Sequence, residues 1–133
     1  MSEQTMQFAM RYSAAWAAHD PDAIVAMHTD DSVFHIHGGI EPVVGRDAVR
    51  EAFATYLEQS PDLRFEPQRV HFGEDHFVSE YVVSGTREGT QFACDGTDVF
   101  TLREGLVARK DTYLDLVSYQ RQLGLDLVAP GTS

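Results

Sequence analysis

Three short turns divide the second half of the chain, and each of them contains a glycine. The turns are residues 73–75, 87–89 and 103–105. They separate four runs that have the composition of strands: 63–72, 76–86, 90–102 and 106–115. Loops this short connect neighbouring strands that run in opposite directions. The sequence therefore predicts an antiparallel meander for this half of the chain.

The first part of the chain is predicted to begin with two helices. Residues 3–19 have the spacing of an amphipathic helix. The apolar stripe of this helix consists of Phe8, Tyr12, Ala15 and Trp16. Asp20 is a suitable N-cap, and Pro21 is a suitable first residue, for a short second helix that continues to Met27.

A strand and a third helix are predicted before the meander. Residues 32–37 alternate with period two and are followed by Gly38, which favours a strand that ends there. Gly45 opens a helix that ends before Pro61, because the residue preceding a proline is disfavoured in the α conformation. The apolar face of this helix consists of Val49, Ala52, Phe53, Tyr56 and Leu57. A last short helix is predicted over residues 116–125.

Helices that come first and strands that follow, with one strand between the helices, indicate an α+β fold. We expect N-terminal helices packed on one side of a curved, mostly antiparallel sheet. Such a sheet leaves a concavity that suits a small ligand. The 133 residues are enough for one domain, which we assign to residues 1–128, with a disordered tail over residues 129–133.

The composition excludes some classes of binding partner and indicates the cellular compartment. A net charge of −11 argues against nucleic acid and anionic membranes, which are bound through positive patches. The single cysteine, Cys94, excludes an internal disulfide, and the acidic N-terminus lacks the basic start of a signal peptide. We therefore expect a cytoplasmic protein. The sequence has no phosphate-binding glycine loop, nucleophile elbow or zinc pattern, so we expect neither cofactor nor metal.

The carboxylate of Asp98 lies on the more apolar face of the run 92–102. Alternation along a strand places it on one face with Phe92, Cys94, Gly96, Phe100 and Leu102. Desolvation raises the pKa of a carboxyl group, and a neutral acid on an apolar wall can donate a hydrogen bond to a ligand. The alternative is a structural aspartate that is bonded to a neighbouring backbone or hydroxyl group.

The order of the elements and several short motifs resemble those of the NTF2-like superfamily, in particular its SnoaL-like and ketosteroid-isomerase-like members. The matching segments are residues 12–16, 19–24, 30–35, 45–49, 96–100 and 105–115. The resemblance implies a cone-shaped α+β barrel with a pocket between helices and sheet, assembled as a homodimer. It does not fix the function, because this fold supports several chemistries as well as binding without catalysis.

The resemblance also implies roles for individual residues. In ketosteroid isomerases a tyrosine on the first helix and a protonated aspartic acid on a late strand form an oxyanion hole, and these positions match Tyr12 and Asp98. The position of the general-base aspartate is occupied by Ile36, which is followed by His37. Phe53 replaces a further tyrosine. The Asp-Arg-Asp set of limonene-epoxide-hydrolase-like members is absent, because its positions hold Val83, Tyr81 and Thr112, so that reaction is not expected.

The remaining polar candidates allow more than one interpretation. His35 and His37 form a His-x-His pair, which can ligate a metal only with further ligands; His28, His71 and Glu80 are the candidates. His37 could instead act as a general base. Alternation, however, places Phe34 and Ile36 on the opposite face from the two histidines. Glu80 is either at an exposed or dimer-facing position or in the cavity, where it would pair with Asp98. The charges at 109–111 and 115 are expected on a solvated or interface strand.

The combined hypothesis is a pocket in which Asp98 and Tyr12 polarise an oxygen and His37 moves a proton. The predicted lining residues are Trp16, Phe34, Phe53, Phe92 and Phe100. The pocket is expected to bind a small, mostly apolar, oxygen-bearing molecule, with isomerase- or cyclase-type catalysis. The alternative is a non-catalytic binding or assembly module, which the apolar Ile36 at the base position favours. A homodimer is expected through the outer sheet face that carries Val99 and Thr101.

Overall fold

The computed structural model describes residues 2–124, which form four helices and six strands. In chain order these are α1 (Ser2–Ala17), α2 (Pro21–Val25), β1 (His28–Ile36), β2 (Val43–Val44), α3 (Arg46–Gln59), β3 (Arg64–Phe72), β4 (His76–Arg87), β5 (Thr90–Arg103), β6 (Leu106–Leu114) and α4 (Leu116–Gln122). The α+β class is therefore confirmed. Within the described range, no helix combines the length and the hydrophobicity needed to cross a bilayer.

The six strands form one sheet in the order β2-β1-β6-β5-β4-β3. The meander from β3 to β6 is antiparallel, as predicted, and its strands begin and end within one residue of the predicted limits. β1 pairs in parallel with β6 and antiparallel with β2. Because β2 and β3 are free edges, the curved sheet is unclosed and not a complete barrel. The two residues of β2 are too few to show a periodic pattern, and that strand was not predicted.

Local signals explain where the helices begin. Asp20 caps α2, because its side chain accepts a hydrogen bond from the Ala23 amide at 3.1 Å, and Pro21 is the first helical residue. Gly45, with a φ of 97°, precedes α3 as expected. The predicted start of β1 at residue 32 is wrong, since the strand begins at His28. A register irregularity between His28 and Val33 interrupts the alternation on which that prediction depended.

The helices cover one face of the sheet, which we call the helix-covered face; the other is the outer face. α3 packs against β1, and α1 packs against β3 and β4. The core between the layers is rich in aromatic rings: Phe8, Tyr12, Trp16, Phe34, Phe53, Phe77 and Phe100. The predicted stripe on α1 is thus buried. The predicted domain limit at residue 128 and the tail 129–133 lie outside the described residues.

Candidate functional site

Two adjoining cavities lie between the helices and the helix-covered face of the sheet. The larger lobe, of about 550 Å³, extends along α1, β3 and β4. The smaller lobe, of about 230 Å³, extends toward α3 and α4. Five residues line both lobes: Trp16, Leu63, Phe65, Tyr81 and Lys110. Most of the lining is apolar, and the volumes are in the range of small-molecule sites.

Asp98 projects from β5 into this apolar region and is 5% exposed. Its Oδ1 accepts hydrogen bonds from the Tyr81 hydroxyl at 2.8 Å and from the Thr112 hydroxyl at 2.7 Å. These donors lie on the two strands that flank β5, so the sheet itself fixes the orientation of the carboxyl group. The interaction with two hydroxyl groups also offsets part of the cost of burying it.

A glycine makes the contact between Tyr81 and Asp98 possible. Gly96 lies opposite Tyr81 in the β4–β5 pairing. A Cβ atom at Gly96 would lie 2.6 Å from a ring carbon of Tyr81. The ring can therefore lie across β5 and reach Asp98 only because residue 96 has no side chain.

Lys110 is the only lysine of the chain, and it is 5% exposed. Its ammonium nitrogen lies 3.8 Å from Oδ2 of Asp98. Five aromatic rings surround the ammonium, with centroids at 4.3 to 5.7 Å: Trp16, Phe53, Phe34, Phe100 and Tyr12. Burial lowers the pKa of Lys110, and the Asp98 carboxylate opposes that shift. The cation is thus held by one carboxylate oxygen and by ring faces.

A second polar group lies behind the Tyr12 ring. The Tyr12 hydroxyl is 2.9 Å from Nε2 of His28, and Nδ1 of His28 is 3.2 Å from the Ser32 hydroxyl. Burial lowers the pKa of His28 to about 3, and the positive charges of Lys110 and Arg46 add to this shift. His28 is therefore neutral near pH 7. Burial raises the pKa of Tyr12 well above its ordinary value, so this phenol stays protonated.

The sequence and the fold agree with one family. Residues 9–110 match the model of the SnoaL-like domain. The chain belongs to the SnoaL-like family. No curated protein matches the sequence significantly.

Solved structures share this SnoaL-like fold at low identity. A protein from Jannaschia sp. CCS1 classed as a SnoaL-like polyketide cyclase has a TM-score of 0.83 and 19% identity, with 95% of each chain covered. A hypothetical protein with a ketosteroid isomerase-like fold from Catenulispora acidiphila, in complex with trimethylamine, has a TM-score of 0.80 and 21% identity, with 90% of this chain and 93% of that chain covered. SalBIII, an epoxide hydrolase/cyclase-like enzyme of pyran ring formation in salinomycin, has a TM-score of 0.78 and 22% identity, with 87% and 94% covered.

The structure of this SnoaL-like chain brings most of the predicted site residues to the cavity. Tyr12, Asp98 and Phe100 line the larger lobe, Phe34 and Phe92 line the smaller one, and Trp16 lines both. Phe53 does not line either lobe: it is fully buried behind the Trp16 ring, at a centroid distance of 4.8 Å. Tyr12 and Asp98 are hydrogen-bonded to different partners and not to each other.

His37, by contrast, lies away from the cavity. Its Nε2 is 2.8 Å from Oδ1 of Asp111, and its ring stacks on Tyr113 at a centroid distance of 4.3 Å. Alternation along β6 places Asp111 and Tyr113 on the outer face, opposite Lys110 and Thr112. His37 therefore has no path to a ligand that is bound beside Asp98, which removes the geometric basis for its expected role as the base.

The other polar candidates also lie on the outer face or in the core. Glu80 binds Arg69 at 2.7 Å and His71 at 3.3 Å, so it does not pair with Asp98. Ligand atoms of His35, His37 and Asp111 lie within 4.8 Å of one another. Both oxygens of Asp111 already accept hydrogen bonds from the Arg109 guanidinium. A cation would have to displace this arginine, and we assign no metal to the cluster.

The sequence does not single out Lys110, which it places with its charged neighbours on a solvated or interface strand. That expectation is wrong for Lys110 and correct for its neighbour Arg109, which is exposed. A signal was present, because alternation places Lys110 on one face with Thr112 and Leu114, away from Arg109. Because Arg109 and Asp111 flank Lys110, the segment resembles an exposed charged strand, and this alternation was given no weight. The positions of Tyr81 and Thr112 had been recognised only as places where hydrolase residues are absent.

Proposed function

We propose that the cavity binds a small, mostly apolar, oxygen-bearing molecule and catalyses proton transfer of the isomerase or cyclase type. The observation that carries this proposal is the Asp98–Lys110 pair, a carboxylate and an ammonium group buried in a cavity lined mainly by apolar groups. Taking two charges out of water is costly, and a structural core rarely needs such a pair. A charged group with a perturbed pKa in a cavity, such as Lys110, is typical of a functional site.

The two charges have different roles in this proposal. The apolar body of the ligand occupies the larger lobe, and its carbonyl or enol oxygen accepts a hydrogen bond from the Lys110 ammonium. A fixed positive charge in a site with little water stabilises the negative charge that develops on that oxygen. Asp98 accepts the proton from the neighbouring carbon. Tyr81 and Thr112 act as positioning residues, because they hold Oδ1 and leave Oδ2 directed at Lys110.

A second donor supports an oxygen-bearing ligand. Trp16 borders both lobes, and its indole N–H is buried. It lies near the Tyr12 hydroxyl but makes no hydrogen bond of suitable geometry within the described residues. Buried donors normally have partners, so an oxygen of the ligand is a natural acceptor for this group.

Proton exchange at carbon tests the proposal without knowledge of the natural substrate. We expect the full chain to accelerate the exchange of the α-protons of 2-decalone in D₂O, followed by proton NMR. General-base catalysis contributes about 100-fold or more, so Asp98→Asn is expected to lose at least that much of the acceleration. Asp111→Asn, on the outer face of the neighbouring strand, is the matched control and is expected to exchange at the wild-type rate. Circular dichroism of each variant checks that it is folded.

The same experiment separates the second candidate, a non-catalytic binding module. Ile36, at the position where ketosteroid isomerases carry their base, lines the smaller lobe and brings only an apolar side chain there. This observation favours binding without chemistry. Saturable binding of 2-decalone with exchange at the rate of the buffer alone would support the binding module and contradict catalysis. No binding of any cyclic ketone would contradict both candidates.

We also propose that the chain is a homodimer that buries the outer face. Val99 and Thr101 lie on that face of β5, and Tyr113 of β6 is 49% exposed there. Isologous pairing of such faces is the commonest closed arrangement. Light scattering is expected to give twice the chain mass of 14.9 kDa at micromolar concentration. The mass of a single chain under those conditions would contradict the dimer.

A further inference from the structure

We infer, building on the proposed function, that the Lys110 amine is a nucleophile that forms an imine with an aldehyde or ketone bound in the cavity. The chain carries nine arginines and this single lysine. Every other cationic side chain thus lacks a primary amine. The one lysine is among the residues that line both lobes, so its side chain borders either of them.

The surroundings of Lys110 suit an amine that must lose a proton. Among residues 2–124, the one carboxylate within ion-pair distance of its ammonium is Asp98, whose Oδ2 lies 3.8 Å away. This distance is too long for a strong hydrogen bond. The Oδ1 atom of Asp98 is already engaged by Tyr81 and Thr112. Oδ2 is therefore the atom available to accept a proton from the ammonium. The depressed pKa that burial gives Lys110 favours the neutral, nucleophilic form.

The chemical step is balanced by the groups present. The ammonium passes one proton to Asp98, and the nitrogen lone pair attacks the carbonyl carbon to form the C–N bond. The carbonyl oxygen takes a proton from the attacking nitrogen and becomes the hydroxyl group of a carbinolamine. Asp98 then returns its proton to that hydroxyl, which leaves as water while the nitrogen lone pair forms the C=N bond. The sum is ammonium plus carbonyl giving iminium plus water, with Asp98 again a carboxylate, and nothing is oxidised or reduced.

The same site also stabilises the product. A protonated imine keeps the positive charge at the Lys110 nitrogen, beside the Asp98 carboxylate and the Trp16 ring at 4.3 Å. The interactions that hold the ammonium thus hold the iminium. An iminium withdraws electrons from the adjacent carbon, so Asp98 can remove a proton from it more easily than from a ketone. This would give the proposed proton transfer its electrophile.

Reductive trapping tests the inference directly. The folded chain is incubated with octanal or 2-decalone and sodium cyanoborohydride at pH 7, and the adducts are located by peptide mass spectrometry. Lys110 and the terminal α-amine are the primary amines that can react. A nucleophilic lysine is expected to carry at least about ten times more adduct than the α-amine, and unfolding in urea is expected to abolish this preference. Adduct on the α-amine alone, in the folded protein, would overturn the inference.

Two variants separate the imine from the proposed function. Lys110→Arg keeps a positive charge but cannot form an imine, whereas Lys110→Met removes both properties. If the imine is required, both variants lose the α-proton exchange of 2-decalone. If Lys110→Arg retains the exchange at the wild-type rate, the imine is refuted while the proposed acid–base function stands. Should either variant fail to fold, the trapping experiment on the wild-type chain decides by itself.

Discussion

The two faces of β6 carry charged pairs that differ in burial and in geometry. On the outer face, the Arg109 guanidinium binds Asp111 at 2.8 and 3.0 Å, and Asp111 also contacts His37. On the helix-covered face, the next residue along, Lys110, is buried with Asp98 at 3.8 Å. In the single chain, the better geometry thus belongs to the pair that is more open to water, and the looser one to the fully buried pair. In the proposed function, the looser contact leaves the Lys110 ammonium able to bind a ligand as well as Asp98.

The largest effect is expected when the buried pair is broken on one side. Asp98→Ala leaves the Lys110 cation buried without its carboxylate, and such changes cost about 3–5 kcal/mol. The double variant Asp98→Asn with Lys110→Met removes both charges and is expected to recover most of that loss. Urea denaturation of the three proteins measures the difference. Equal stability of Asp98→Ala and the wild type would contradict the buried pair.

This expectation departs from the neutral acid that the sequence suggested for Asp98. Both hydrogen bonds of Asp98 are donated to it, and its second oxygen faces an ammonium group. Removing the charge of this carboxylate would remove its attraction to the Lys110 ammonium. Asp98→Asn alone is therefore expected to destabilise the protein, whereas the hypothesis of a neutral acid predicts an unchanged or higher stability. The same denaturation experiment distinguishes the two.

The next largest loss of stability is expected at Gly96, whose missing side chain leaves space for the Tyr81 ring. Gly96→Ala places a methyl group 2.6 Å from that ring, and overpacking of this kind costs about 1–3 kcal/mol. The ring must move, so the hydrogen bond to Asp98 is expected to be lost. Tyr81→Phe is the matched control, because it removes the hydroxyl without moving the ring. If Gly96→Ala and the wild type unfold at the same urea concentration, the close approach of Tyr81 to β5 is wrong.

A pH effect follows from His28. Its pKa is about 3 in the folded protein and 6.5 in the unfolded chain, so only the unfolded chain gains this proton as the pH falls below 6.5. The native state should lose about 2 kcal/mol between pH 7 and pH 5 through this group, and more on approach to pH 3. His28→Gln is expected to lack this part of the dependence. Parallel stability curves for the two proteins over that range would contradict the buried, neutral His28.

The smallest effect is expected on the outer face. Asp111→Asn weakens the contacts of this half-buried carboxylate with Arg109 and His37, whose side chains are 44% and 30% exposed, and pairs with an exposed partner contribute about 1 kcal/mol or less. The loss should shrink further in high salt, because exposed charges are screened. Denaturation at low and high ionic strength measures both points. A loss as large as that of Asp98→Ala would erase the difference between the two faces.

The sequence predicted what depends on local patterns and missed what depends on contacts across strands. Glycine turns fixed the meander to within one residue, and Asp20 with Pro21 located α2. Asp98 was recognised because it is the one charge on an otherwise apolar strand face. Lys110 was not, because Arg109 and Asp111 on either side made it resemble a solvated strand.

One further feature could not be predicted from local patterns, and a second was predicted by a local pattern that the family resemblance outweighed. The approach of Tyr81 to Asp98 depends on the register of β4 with β5 and on the missing side chain at Gly96. The outward position of His37 had been anticipated by the alternation with Phe34 and Ile36. The resemblance to isomerases nevertheless drew attention to His37, since it follows the position where those enzymes carry their base.

The fluorescence of Trp16 offers the most direct test of the central claim, that Lys110 receives the oxygen of a bound ligand. Trp16 is the only tryptophan, and its ring lies 4.3 Å from the Lys110 ammonium. We expect 2-decalone to change the emission saturably. Hydrogen bonds to charged groups contribute about 1.5–3 kcal/mol, so Lys110→Met should bind the ketone about tenfold or more weakly, and Asp111→Asn as the wild type does. Equal affinity of the wild type and Lys110→Met would contradict the claim.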